Sequence, residues 1–268
     1  MSDPLKDSPD PSGPGAEQIQ VLDHGFVRLV DVMGGDMSVV TSARVSYGSG
    51  TKGEEKDRKL ITYMLRHDHM SPFEHATFQF HVSCPLFVMR QWIRHRMASY
   101  NEISARYTEM KDEFYVPEVW RAPDLKNKQS SQAAPTLDHE RCTKLLRESY
   151  DKAYASYQEL IKAGAARELA RMVLPTSLYT QFYWTVNARS LMHFIDLRAD
   201  ANAQWEIQRF AEALASHFRK RMPWTWEAFL LHAWKGKNPG LDAEKAQLLG
   251  KQAHPAPKAP ESPLGQPA

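Results

Sequence analysis

The chain has 268 residues, 42% of them apolar and 25% charged, with a formal net charge of +2. That length suits one domain with a sizeable core, and the near-neutral balance excludes a chain that holds nucleic acid through overall charge. Two cysteines, Cys84 and Cys142, far apart and in no C-x-x-C pair, exclude a disulfide framework and a cysteine-based zinc ribbon.

Residues 1–18 are rich in Pro, Gly, Ser and Asp. They lack the apolar core of a signal peptide and the burial needed to offset ordering entropy, so they read as a disordered tail. Residues 25–33 form a strand candidate ended by Gly34-Gly35. Residues 54–67 read as helix, with Leu60, Ile61, Met64 and Leu65 on one face. Residues 77–84 alternate: Phe78, Phe80, Val82 and Cys84 face one way, Gln79, His81 and Ser83 the other, as in a half-buried strand. Pro85 then opens a helix through Met97. A short strand is expected over 113–116, a long helix over 138–162 closed by Gly164, and a second helix over 165–174 stopped by Pro175. The aromatic and β-branched run 181–186 reads as strand, and Asn187 caps a helix through Arg198. Helices follow over 203–221 and 224–234, then a low-complexity tail over 236–268 with room for a short helix near 242–249. Strands and helices without strict alternation indicate an α+β fold: one domain over 19–235, an antiparallel or mixed sheet packed with long helices. No apolar run approaches the ~20 residues that span a bilayer, so no membrane partner is expected and the expected location is the cytoplasm.

Positive charge is concentrated in residues 90–107, where Arg90, Arg94, Arg96, Arg106 and His95 face one acid, Glu102. On a helix Arg90 and Arg94 share a face. A helix that ends at Ser99-Tyr100-Asn101 and opens into a polar loop lets side chains and backbone N–H groups converge on one anion. Arginine suits that task because its planar fork matches phosphate with two parallel hydrogen bonds. Three readings are open on the segment alone: a solvated charged face, an RNA-binding surface in which aromatics stack on bases, or a phosphate site. The arginines sit among Trp92, Ile93, Met97 and Tyr100, so the segment should approach the core, where Glu102 or a ligand phosphate must meet the charge.

The stretch RHRMASYNEISARY, Arg94 to Tyr107, is similar to the signature of flavin-dependent thymidylate synthases. It supplies Arg94, His95, Arg96, Ser99, Asn101, Glu102, Ser104, Arg106 and Tyr107, nine fixed positions in fourteen, without departure. The resemblance runs from about Val21 to Lys235 and includes SPFEH (Ser71 to His75), RQW (Arg90 to Trp92), WTVNARSL (Trp184 to Leu191) and LRADANAQWEIQ (Leu197 to Gln208).

Other residues gain or lose weight beside it. Leu191, Phe194, Ile195 and Arg198 fall on one helical face, so Arg198 extends an apolar stripe and needs either an internal acid or a position at the helix end from which to reach water. The resemblance places it against the uracil ring, where a fixed cation stabilises developing negative charge. It assigns Ser71, Arg94, His95, Arg96, Glu102, Asn187, Arg189 and His193 to the flavin; by spacing alone Arg189 and His193 are a polar helix face. It assigns Gln91, Arg94, Glu102, Ser104, Arg106, Arg171 and Arg198 to dUMP; Arg171 otherwise reads as a surface arginine paired with Glu168. His67, His69 and His75 with Glu74 invite a metal reading, but Ser71-Pro72 breaks the spacing and no cysteine joins them, so no metal is expected. Ser104 lacks an evident base to make it a nucleophile. Cys84 faces the apolar side of its strand and Cys142 lies on the long helix, so neither reads as catalytic.

The resemblance implies reductive methylation of dUMP to dTMP, with methylenetetrahydrofolate as one-carbon donor and NADPH-reduced FAD as reductant, in a homotetramer whose sites draw on several chains. There is no G-x-G-x-x-G, so a Rossmann-type flavin site is not expected. Two alternatives remain open at this point: an RNA-binding module, and a flavin-binding relative without turnover.

Overall fold

The computed structural model describes residues 17–48, 50–124, 127 and 130–253. Its strands are β1 (Glu17–Val21), β2 (Gly25–Met33), β3 (Thr77–Pro85), β4 (Ala98–Glu102), β5 (Arg121–Pro123), β6 (Ser131–Ala133) and β7 (Tyr179–Asn187). Its α-helices are α1 (Asp36–Arg44), α2 (Glu54–Arg66), α3 (Leu86–Trp92), α4 (His139–Lys162), α5 (Arg167–Ala170), α6 (Ala188–Arg198), α7 (Trp205–Arg221), α8 (Pro223–His232) and α9 (Pro239–Ala253). This is an α+β domain on a five-stranded sheet of order β1-β2-β3-β7-β4, antiparallel at every pairing.

Alternation in β3 and β7 positions the core. Phe78, Phe80, Val82 and Cys84 are fully buried on one face of β3, and Phe182, Trp184 and Val186 lie on the same side of β7. Against them pack Leu191 and Phe194 of α6 and Phe210, Leu214 and Phe218 of α7. The amphipathic α2 buries Ile61, Met64 and Leu65 in the same core. A second, smaller cluster lies under α4, where Tyr150 and Tyr157 meet Phe114, Met110 and Leu178.

Several expectations from the sequence need correction. The helix that Pro85 opens ends at Trp92, not Met97, and residues 98–102 then pair with β7 as a strand. Residues 113–116 contribute an isolated bridge between Phe114 and Leu178 rather than a strand. The helix expected over 165–174 is shortened to α5 and a 3-10 turn at Arg171–Val173. The 1–18 tail is ordered from Glu17, where β1 begins; its residues 1–16 lie outside the described residues. The 236–268 tail carries α9, whose Leu241 joins the core and whose Asp242 accepts from Trp234 Nε1 at 3.0 Å. Residues 254–268 lie outside the described residues. Helix α1 has no counterpart in the sequence reading, because Val39, Val40 and Thr41 favour a strand on propensity alone.

Asp36 ties two helices together. It is 8% exposed, and its carboxylate accepts from Trp224 N at 2.9 Å, Thr225 N at 3.0 Å and Thr225 Oγ1 at 2.6 Å. It therefore satisfies the orphan donors at the start of α8 from the start of α1. Asp36→Ala should lower unfolding stability by about 1–3 kcal/mol. Denaturant unfolding measures this, and a variant within about 0.5 kcal/mol of wild type would contradict the capping role.

Candidate active site

Pairing of β4 with β7 sets Ala98 opposite Val186 and Glu102 opposite Phe182. The turn that precedes β4, Arg94 to Met97, is thereby placed beside Asn187, where β7 passes into α6. Three contacts pin this turn: His95 N donates to Trp92 O at 3.0 Å, and the Tyr100 hydroxyl donates to His95 O at 2.7 Å and Trp92 O at 3.2 Å. Burial pushes that hydroxyl's pKa up to about 12, so it stays a donor.

The turn and α6 line a cavity of about 1000 Å³. Arg94, His95, Arg96, Asn187, Arg189, His193 and Arg198 are all on its wall. Asn187 uses Oδ1 to cap α6, accepting from Ser190 N at 2.9 Å, which leaves its amide N–H₂ uncommitted. Arg189 is held by Glu74 at 2.6 Å. Arg94 and Arg96 are exposed and have no acidic partner among the described residues. Of the two partners the sequence left open for these arginines, Glu102 or a ligand phosphate, Glu102 does not pair with them. Glu102 instead accepts from Thr180 Oγ1 at 2.6 Å.

Arg198 is half-buried and meets no acid among the described residues. Its Nε donates to His95 Nε2 at 3.0 Å and its Nη2 to the carbonyl of Gln91 at 3.4 Å. Because Nε2 accepts, the imidazole is neutral with its proton on Nδ1. Burial, then the charge of Arg198, then His193, lowers the His95 pKa to about 4. Burial lowers the Arg198 pKa as well. A half-buried cation without a counter-ion is costly unless a ligand supplies negative charge.

The remaining expected residues are not on this wall. Beyond Glu102 the chain leaves the sheet, and Ser104 accepts from Arg106 N and Nε at 3.3 and 3.4 Å. Arg106 is exposed over the Tyr107 ring. Arg171 is exposed and donates to the backbone oxygen of Glu168 at 3.3 Å, not to its carboxylate. Ser71 lies in the turn that carries Glu74, off the cavity wall. Within one chain the motif is not gathered on this wall. β4 stretches it along β7, separating its two ends by about 13 Å at ~3.3 Å per residue. Glu74 and Lys235 line the cavity without any local signal in the sequence. Gln204 and Glu206 stand behind Gln91, again without a local signal in the sequence.

The cavity's donor set suits a large anionic cofactor: two free guanidinium groups, an uncommitted amide and a neutral imidazole, in a volume of the size that holds such ligands. Among the described residues no three His, Cys, Asp or Glu gather as a metal site, and no helix is long and apolar enough to cross a membrane.

Over residues 28–224 the sequence matches the family described as thymidylate synthase complementing protein. The chain belongs to the flavin-dependent thymidylate synthase family. It is 53% identical over 223 residues to the flavin-dependent thymidylate synthase of Thermosipho africanus, covering 82% of this chain and 96% of that one. A Thermus thermophilus enzyme of the same name is 52% identical over 222 residues, covering 83% and 82%. Among solved structures, a UMP/dUMP methylase from Streptomyces cacaoi bound with 5-Br UMP superposes with a TM-score of 0.73 at 38% identity, covering 82% of this chain and 99% of that one. The same methylase bound with 5-Br dUMP gives 0.72 at 37%, covering 79% and 97%.

His81 and His95 are both lowered to about 4, and His217 and His232 are lowered, in each case first by burial. A histidine held neutral in this family member's folded state protonates first in the unfolded chain. Stability from this source is therefore complete above about pH 6.5 and is lost as pH falls toward about 4. The urea midpoint should drop across that window, and a midpoint that rises on acidification would contradict the assignment.

Proposed function

We propose that this chain is a flavin-dependent thymidylate synthase: dUMP, methylenetetrahydrofolate, NADPH and a proton become dTMP, tetrahydrofolate and NADP⁺. The observation that carries the reading is Arg198, a half-buried guanidinium on the cavity wall that rests on a neutral histidine and a carbonyl rather than an acid. Bound FAD supplies the reducing equivalents. The chain's part is to bind, orient and provide charge.

In this reading Arg198 sits against the uracil ring. Its full positive charge stabilises the enolate-like charge that forms when the base attacks through its carbon 5. The neutral imidazole of His95 fixes the direction of the guanidinium without neutralising it. Arg94 and Arg96, with Asn187, Arg189, His193, Ser71 and Glu102, would hold the cofactor, the arginines supplying positive charge for its phosphates. Gln91, Arg94, Glu102, Ser104, Arg106 and Arg171 hold the nucleotide.

The distance between the cavity and Arg106 supports a site assembled from several copies of the chain. One copy's Ser104 and Arg106 would serve a cavity on another, which is the homotetramer expected from the resemblance. Both cysteines are free, consistent with a reducing compartment, the cytoplasm.

Product formation tests the reading. dTMP should form only with FAD and NADPH both present, and UMP should be assayed beside dUMP. A colourless protein with salt-dependent RNA affinity would favour the RNA-binding alternative. A yellow protein without product would leave the flavin-binding relative. Arg198→Ala should keep its fold and flavin absorbance and lose about 10²–10³ in turnover; near-wild-type turnover would remove the role given to Arg198. Arg106→Ala should weaken dUMP about tenfold or more, and an unchanged dissociation constant would refute the phosphate role.

A further inference from the structure

Glu206 is 2% exposed at the start of α7, and donors surround it. The Tyr115 hydroxyl reaches Oε1 at 3.1 Å, the Arg121 guanidinium pairs with the same oxygen, and Gln204 Nε2 reaches Oε2 at 2.9 Å. A carboxylate so placed is an acceptor on every side. Gln204 must therefore turn its N–H₂ toward Glu206 and its oxygen away. That oxygen accepts from Gln91 Nε2. The same logic then acts on Gln91: its N–H₂ is taken, and its Oε1 is left without a hydrogen bond among the described residues. Gln91 also accepts from Arg198 through its main-chain carbonyl, which sets residue 91 beside the guanidinium assigned to the uracil ring.

We propose that Glu206 and Gln204 are positioning residues that lock the Gln91 carboxamide with its oxygen toward the nucleotide. The proposal rests on the reading of Gln91 as a nucleotide contact. An unanchored glutamine presents donor or acceptor with little preference. The relay removes that freedom and makes the position an acceptor. The matching group on dUMP is a donor, either the ribose 3′-hydroxyl or the ring N3–H. A nucleotide offering an acceptor there would leave two lone pairs opposed and lose affinity.

The test is a cycle in the FAD-loaded enzyme: wild type, Gln204→Met, Gln91→Ala and the double variant. For each, the dUMP dissociation constant, KM and kcat are measured. Methionine keeps the length of Gln204 and leaves Glu206 with Tyr115 and Arg121. Gln204→Met should weaken dUMP about tenfold, with the loss in KM rather than kcat, and should cost nothing further once Gln91 is alanine. Glu206→Gln keeps the side-chain shape but lets the Gln204 amide turn over, so it should weaken dUMP in the same way. Repeating the cycle with 3′-deoxy-dUMP and N3-methyl-dUMP identifies the donor, because the analogue lacking it should bind wild type and Gln204→Met alike. Full sensitivity to Gln204→Met in both analogues would overturn the acceptor role. If Gln204→Met and Glu206→Gln leave dUMP binding unchanged while Gln91→Ala weakens it, the relay is wrong and the nucleotide reading of Gln91 stands. If Gln91→Ala binds dUMP like wild type, that reading fails and the relay with it. Losses that multiply in the double variant assign Gln204 an independent structural part and also overturn the proposal.

Discussion

The pairing of β4 with β7 is the constraint on which the site depends. β7 is bonded to β3 on one side and to β4 on the other, and at Asn187 it passes directly into α6. Five residues of β4 in register are enough to set Arg94, His95 and Arg96 beside Asn187, Arg189 and Arg198, although about ninety positions separate the two groups in the chain. Side chains alternate along a strand, so a slip of one residue would turn Ala98 and Tyr100 outward and drop Ser99 and Asn101 into the core. Tyr100 guards against this. Its ring packs on Phe182 and Trp184, and its hydroxyl closes the preceding turn.

Given that frame, electrostatics follows from what is missing around Arg198. An acid beside it would have made a stable internal ion pair and a weak ligand for a developing anion. A neutral histidine and a main-chain oxygen direct the guanidinium while leaving its charge available. The arrangement also explains the lowered pKa of His95, because a protonated imidazole could not accept from Arg198 and would stand beside a second cation. Burial, charge and hydrogen-bond direction therefore favour one protonation state of the pair.

Much of this could be read from the chain. The alternation of β3, the aromatic run of β7, the Asn187 cap and the stripe ending in Arg198 each follow from a period or a capping preference, and the structure has them within a few residues. What was hidden has physical reasons. ASYNE in β4 is a polar edge strand paired on one side only, so it lacks the apolar alternation that marks a half-buried strand. β1 is short and follows a Pro- and Gly-rich stretch whose composition masks it. The motif residues were legible as a set, but not their division along β4 between the cavity and the far end of the sheet. Glu74, Gln204 and Glu206 act through contacts across the chain, which no local pattern records.

A neutral His95 that aims an uncompensated Arg198 at the base is the claim on which the rest turns. The most direct measurement is a crystal structure of the enzyme with FAD and dUMP. The uracil ring is expected within hydrogen-bond reach of the Arg198 guanidinium, with Arg198 Nε still on His95 Nε2 and FAD in the cavity against Arg94 and Arg96. A uracil ring bound away from Arg198, or Arg198 turned onto an acid with His95 released, would contradict it.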